Sequence, residues 1–142
     1  MHYRQILFAG LTVALSACAT ADDTRQVPGC PQMECVHIGQ AQQVWQDVTV
    51  TPLAVIEDSR CPMEAECVWA GRLRLKVQLD LGHESLEAEI ASDGPMPITG
   101  GVLTLAEIAP EASSKWGPLE AGDYSFGFRF APNMADAPVA PL

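Results

Sequence analysis

The chain has 142 residues, 48% of them apolar, and a formal net charge of -10 at pH 7. That length fits one domain with a real core, and the apolar fraction excludes an intrinsically disordered chain. With 8 Lys and Arg against 18 Asp and Glu, nucleic acid is excluded as a partner, because the surface cannot neutralise a row of phosphates.

The first 17 residues read as a secretory signal. His2 and Arg4 form a short positive flank, and Ile6 to Leu15 form an apolar run. That run is too short to span a bilayer, which takes about 20 apolar residues in a helix. Leu15-Ser16-Ala17-Cys18 follows and resembles the lipobox of bacterial lipoproteins. The resemblance implies cleavage before Cys18, diacylglycerol on its thiol and acylation of the new amino group. Small Ser16 and Ala17 give a peptidase access to the bond. Ala19, standing where an Asp would favour inner-membrane retention, points to an outer-membrane lipoprotein facing the periplasm, with the cell surface as the alternative. Acyl chains contribute about 0.8 kcal/mol per buried methylene, so several make a stable anchor. Residues 18–29 then form the lipidated cysteine and a polar tether.

The domain is expected over residues 30–130. Its first segment is Cys30-Pro31-Gln32-Met33-Glu34-Cys35, with His37 two residues on. Gln43 to Val50 reads as one β-branched strand, and Leu53 to Ile56 as a short buried strand after Pro52. Next comes Cys61-Pro62-Met63-Glu64-Ala65-Glu66-Cys67. Arg72 to Leu81 alternates without a fault, so Leu73, Leu75, Val77, Leu79 and Leu81 share one face of a strand. Gly82-His83 is a turn, and Ser85 to Ile90 completes a hairpin. Asp93-Gly94-Pro95 and Gly100-Gly101 mark turns. Val102 to Ile108 is another strand, closed by Pro110, and Glu111 to Lys115 forms one helical turn at most. Trp116 lies in a loop with its ring expected to be buried. Tyr124, Phe126, Phe128 and Phe130 recur at period two and form a core stripe. Residues 131–142 are a Pro- and Ala-rich tail. Six or seven short alternating strands predict an all-β chain, an antiparallel β-sandwich of immunoglobulin-like size, with a small β-barrel as the alternative.

Four cysteines remain after Cys18: Cys30, Cys35, Cys61 and Cys67. In a secreted chain an even number points to disulfides. Of the three possible pairings the local one, Cys30–Cys35 with Cys61–Cys67, is preferred. Each closes a small loop stiffened by Pro31 or Pro62, contributing roughly 2 to 2.5 kcal/mol in the chain-entropy model. The alternative is copper or zinc held by Cys30, Cys35, Cys61 and Cys67 with Met33, Met63 or His37, since thiolate, thioether and imidazole suit soft metals.

The stretch Glu57 to Gly71 contains Asp58-Ser59-Arg60-Cys61-Pro62 followed by Cys67-Val68-Trp69-Ala70-Gly71. It resembles the signature of a family of small bacterial lipoproteins, in which a lipobox precedes it and an alternating strand follows. The likeness covers the signal segment, residues 57–81 and, loosely, Val102 to Pro110; the Cys30–Cys35 segment lies outside it. It implies secretion and a β fold and carries no activity with it. Physically, a Cys61–Cys67 bond makes a knuckle between two strands. Trp69 is expected on the face of Cys67, covering the disulfide. Gly71 is expected at a close approach, and Asp58 and Arg60 are expected to pair or to hold loop amides. On the functional reading the knuckle presents Asp58, Arg60, Glu64, Glu66 and Trp69 to a partner.

No Gly-x-Ser-x-Gly elbow, phosphate-binding loop or His-Glu-x-x-His pair occurs. His83 falls in a solvated turn, and adjacent Glu57 and Asp58 point to opposite faces. The expectation is therefore a non-enzymatic envelope module without a cofactor or a resident metal, tied to the membrane by its N-terminal lipid. Its partner would be an envelope protein or ligand. Metal binding and inhibition of a secreted enzyme by a disulfide loop are the alternatives.

Overall fold

A computed structural model describes residues 29–133; the signal segment, Cys18, nearly all of the tether and residues 134–142 lie outside them. Seven strands run in chain order: β1 (Gln42–Trp45), β2 (Val48–Asp58), β3 (Leu73–Asp80), β4 (Ser85–Ala91), β5 (Met96–Ile98), β6 (Gly101–Ala109) and β7 (Ser125–Pro132). They form two antiparallel sheets, β1-β2-β3-β4 and β5-β6-β7. The fold is all-β, and the two sheets do not close into a barrel, so the barrel alternative is set aside. Two single 3-10 turns, Ser114–Trp116 and Ala121–Asp123, lie between β6 and β7. Among the described residues no helix is long and apolar enough to cross a membrane.

The inner faces are built by alternation. Leu73, Leu75, Val77 and Leu79 of β3 are all fully buried, while Arg74, Lys76 and Gln78 between them reach the outer face. There Arg74 pairs with Glu57 and Glu89, and Lys76 with Glu87, a solvated ladder of opposite charges. Tyr124, Phe126, Phe128 and Phe130 meet this aliphatic face from the second sheet, joined by Leu103 and Leu105 of β6. A fully buried Leu, Val or Phe contributes about 1.5–3 kcal/mol relative to exposure, so this single cluster dominates stability.

Five elements differ from the sequence reading. Gln43 to Val50 is not one strand: the chain turns at Gln46-Asp47, and Trp45 pairs with Val48. The Gln43 side-chain amide closes this turn by donating to the Gln46 carbonyl at 2.7 Å. Leu53 to Ile56 is not separate, because β2 runs on through Pro52. A proline is tolerated there because β1 has already ended beside it and the β2–β3 register shifts between Pro52 and Ala54. β5 was not foreseen; its three residues, one of them Pro97, carry no readable period, and only their pairing with β6 makes them a strand. The helical turn sits slightly later than expected, at Ser114–Trp116, and the last strand extends to Pro132.

Candidate binding cleft

Two cystine loops organise one end of the molecule. Cys30–Cys35 and Cys61–Cys67 are both disulfides, with Cα–Cα separations of 6.0 and 5.9 Å, as the local pairing predicts. A disulfide sulfur is not a thiolate. The set of four cysteine ligands for copper or zinc is therefore not present in this structure. His37 stands apart from it, its Nδ1 donating to the Tyr124 carbonyl at 2.8 Å.

The knuckle between β2 and β3 is locked from several sides. Ser59 N–H donates to the Arg72 carbonyl and Cys61 N–H to the Ala70 carbonyl, which prolongs the ladder past the strand ends. Gly71 has φ +67° and a Cβ there would lie 1.7 Å from the Ser59 carbonyl oxygen, so no other residue fits. Arg60 grips Asp58 through two nitrogens, at 2.7 and 2.8 Å, and donates a third bond to the Pro110 carbonyl. The Tyr124 hydroxyl donates to the same carboxylate at 3.0 Å. Burial pushes the Asp58 carboxyl upward, but the guanidinium and the hydroxyl outweigh it and hold it below the usual carboxylate range. Burial and that neighbouring charge push the Tyr124 phenol up to about 12.

Of the residues expected to face a partner, Asp58 and Arg60 thus hold the knuckle to the start of β7. Glu64 is also engaged internally. Its oxygens accept from the Ser113 hydroxyl at 2.6 Å and the Ser114 amide at 3.0 Å, and these bonds lower its carboxyl to about 2. Glu66 and Trp69 remain exposed. Trp69 does not cover the disulfide: the chain between Cys67 and Gly71 is not a strand, so the two-residue spacing does not bring ring and cystine onto one face.

The other loop packs on the outer face of the second sheet. Val36 and Phe126 exchange backbone bonds, both at 2.9 Å, so the loop is drawn against β7. Met33 and Cys35 fill the space above Gly127, where a Cβ would stand 2.4 Å from the Met33 Sδ and 2.9 Å from the Cys35 Sγ. Opposite, the register of β6 against β7 shifts between Leu105 and Glu107, and Glu107 stands beside the cystine. Its carboxylate and both cystine sulfurs lie within 4.8 Å of one another. One Glu107 oxygen accepts from the Gln32 amide at 3.3 Å; the other is buried without a hydrogen-bond partner.

Between the two loops lies a cleft of about 610 Å³, lined by Met33, Met63, Glu107, Ile108, Trp116 and Arg129 among others. Trp116 is half-buried and anchored by its ring N–H to the Glu111 carbonyl. Among the described residues Arg129 is the one Arg or Lys without a carboxylate partner. Glu107 and Arg129 escaped the sequence reading because each looks like an ordinary polar residue on an alternating strand. The one available cue was the near-match of the two Cys-Pro segments, whose methionines, Met33 and Met63, now line the same cleft. Comparison with protein-family models, curated proteins and solved structures finds no match to this chain.

Proposed function

We propose that this chain is a lipid-anchored, non-enzymatic binding module of the bacterial envelope, and that the cleft between its cystine loops receives a small amphipathic organic cation. The lipobox-like Leu15-Ser16-Ala17-Cys18 and the Asp58 to Gly71 signature support the anchor and the envelope setting. Ala19, where an Asp would favour inner-membrane retention, supports an outer-membrane position facing the periplasm.

One observation carries the ligand class: the buried, unpartnered oxygen of Glu107 in a cleft walled by thioethers and an indole. A buried carboxylate oxygen without a donor is costly, and a ligand ammonium or guanidinium group that draws the Glu107 carboxylate toward the cleft would satisfy it with a charge-assisted bond. Trp116, Met33 and Met63 offer polarisable walls to the body of such a ligand. The volume falls within the roughly 300–1,000 Å³ of small-molecule sites. Arg129 adds a donor for an anionic or carbonyl group at the ligand's other end.

The test is calorimetric titration of the Cys18→Ser chain, secreted so that its cystines form. Arylalkylamines are compared with the matching alcohols. The amines are expected to bind about tenfold or more tightly than the alcohols, a difference of about 1.4 kcal/mol, and Glu107→Gln is expected to abolish the preference. Equal binding of amine and alcohol, or an unaltered preference in Glu107→Gln, overturns the assignment.

A further inference from the structure

We infer that the tip of the Cys61–Cys67 knuckle is a bilayer-contact surface that seats the domain on zwitterionic phospholipid beside its own anchor. Val68, Trp69 and Met63 are 89%, 80% and 65% exposed. Large apolar side chains clustered on one short loop mark an interaction site rather than ordinary surface. The loop cannot fold back to hide them, because the cystine, the Asp58–Arg60 pair and Gly71 hold its backbone. Most of the rest of the signature segment has an internal task. Ser59 bonds both backbone groups of Arg72, Cys61 and Cys67 pair, and Gly71 fills a space closed to any Cβ. Trp69 has no hydrogen-bonded or ring partner among the described residues.

The bilayer is singled out by where the described chain begins. Gly29 lines the same cleft as Met63, so the polypeptide leaves the domain next to the knuckle. Between Gly29 and Cys18 only residues 19–28 intervene, a reach of at most roughly 40 Å when fully extended. On the anchor reading, on which this inference rests, Gly29 is therefore held within that distance of the lipid surface, and the knuckle beside it comes within reach of the bilayer. Tethering makes even a weak surface contact effectively intramolecular. Indole rings favour the headgroup boundary, with the ring body in the apolar layer and the N–H toward water. The exposed Glu66 and the absence of an exposed basic cluster on the loop select neutral rather than anionic headgroups.

The experiment uses two forms of the full mature chain. One is the native lipoprotein in phosphatidylcholine vesicles doped with brominated lipid. The other is the Cys18→Ser chain bearing an N-terminal His tag and held on nickel-chelating lipid in the same vesicles, which keeps the geometry without acylation. In both, bromine is expected to quench tryptophan emission. Trp69→Ala removes that quenching and Val68→Ser weakens it, with circular dichroism and cystine content unchanged. Quenching in the tagged form alone, together with an unmodified Cys18 mass, refutes the anchor but keeps the docking surface. Emission from both forms that is insensitive to bromine overturns the docking surface, as does quenching that persists in Trp69→Ala. Protection of Trp69 by soluble glycan or by an envelope protein, without quenching, also overturns it.

Discussion

Glu64 shows how a single side chain can look available in the sequence and be engaged in the fold. It lies on a polar loop, yet its carboxylate receives the Ser113 hydroxyl and the Ser114 amide and so holds the knuckle to the 3-10 turn before β7. Those bonds need the ionised form, which is why its carboxyl is lowered from 4.5 to about 2. A depressed folded-state pKa contributes stability that is present above the unfolded value and is lost as pH falls through the folded one. Urea unfolding followed from pH 7 to pH 2 is therefore expected to show stability falling between about 4.5 and 2. Glu64→Gln is expected to be less stable at neutral pH and to lose less across that window. Asp58 adds to the same acid loss, its carboxyl being lowered by Arg60 and Tyr124 against the cost of burial. The Asp58–Arg60 pairing is readable along the chain, but the task of Glu64 and the Tyr124 bond to Asp58 are not, since Ser113 and Tyr124 are 49 and 66 positions away.

β7 shows the same division at the level of an element. Its aromatic stripe is legible by eye, and its three rings, with Tyr124 just before it, do face the core. Its other face is not legible: Ser125 and Gly127 are buried as well, because the Cys30–Cys35 loop lies over them. Gly127→Ala places a methyl group where Met33 and Cys35 now stand. The inner face is untouched, so the core is expected to persist with near-native far-ultraviolet dichroism. The loop is expected to lift, seen as faster proteolysis between Cys30 and Val36 and as weaker amine binding in the cleft. β6 carries the complementary lesson. Its alternation predicts a strand, but the register shift between Leu105 and Glu107, which sets the carboxylate against the cystine, belongs to the pairing with β7 and not to either segment alone.

On the scale of the whole molecule, the disulfides close small local loops and the core cluster joins the sheets. Replacing Cys61 and Cys67 together with Ser is therefore expected to cost about 2 kcal/mol from lost loop-closure constraint. The unfolding should stay cooperative, with a lower urea midpoint and an unchanged slope. Loss of all cooperative structure would instead make the knuckle a folding requirement. The amino-acid sequence by itself determined the all-β class, the buried faces of β3 and β7 and the local cystine pairing. These depend on period-two alternation and on cysteines close together along the chain, both short-range properties. Only the tertiary structure decided that Gln43 to Val50 turns back on itself, that Met96–Ile98 is a strand, and that Glu107, Met33, Met63 and Arg129 line one cleft. Those outcomes depend on which distant backbone groups remain to be paired and on which loop covers which sheet face, and no periodicity in a single segment records either.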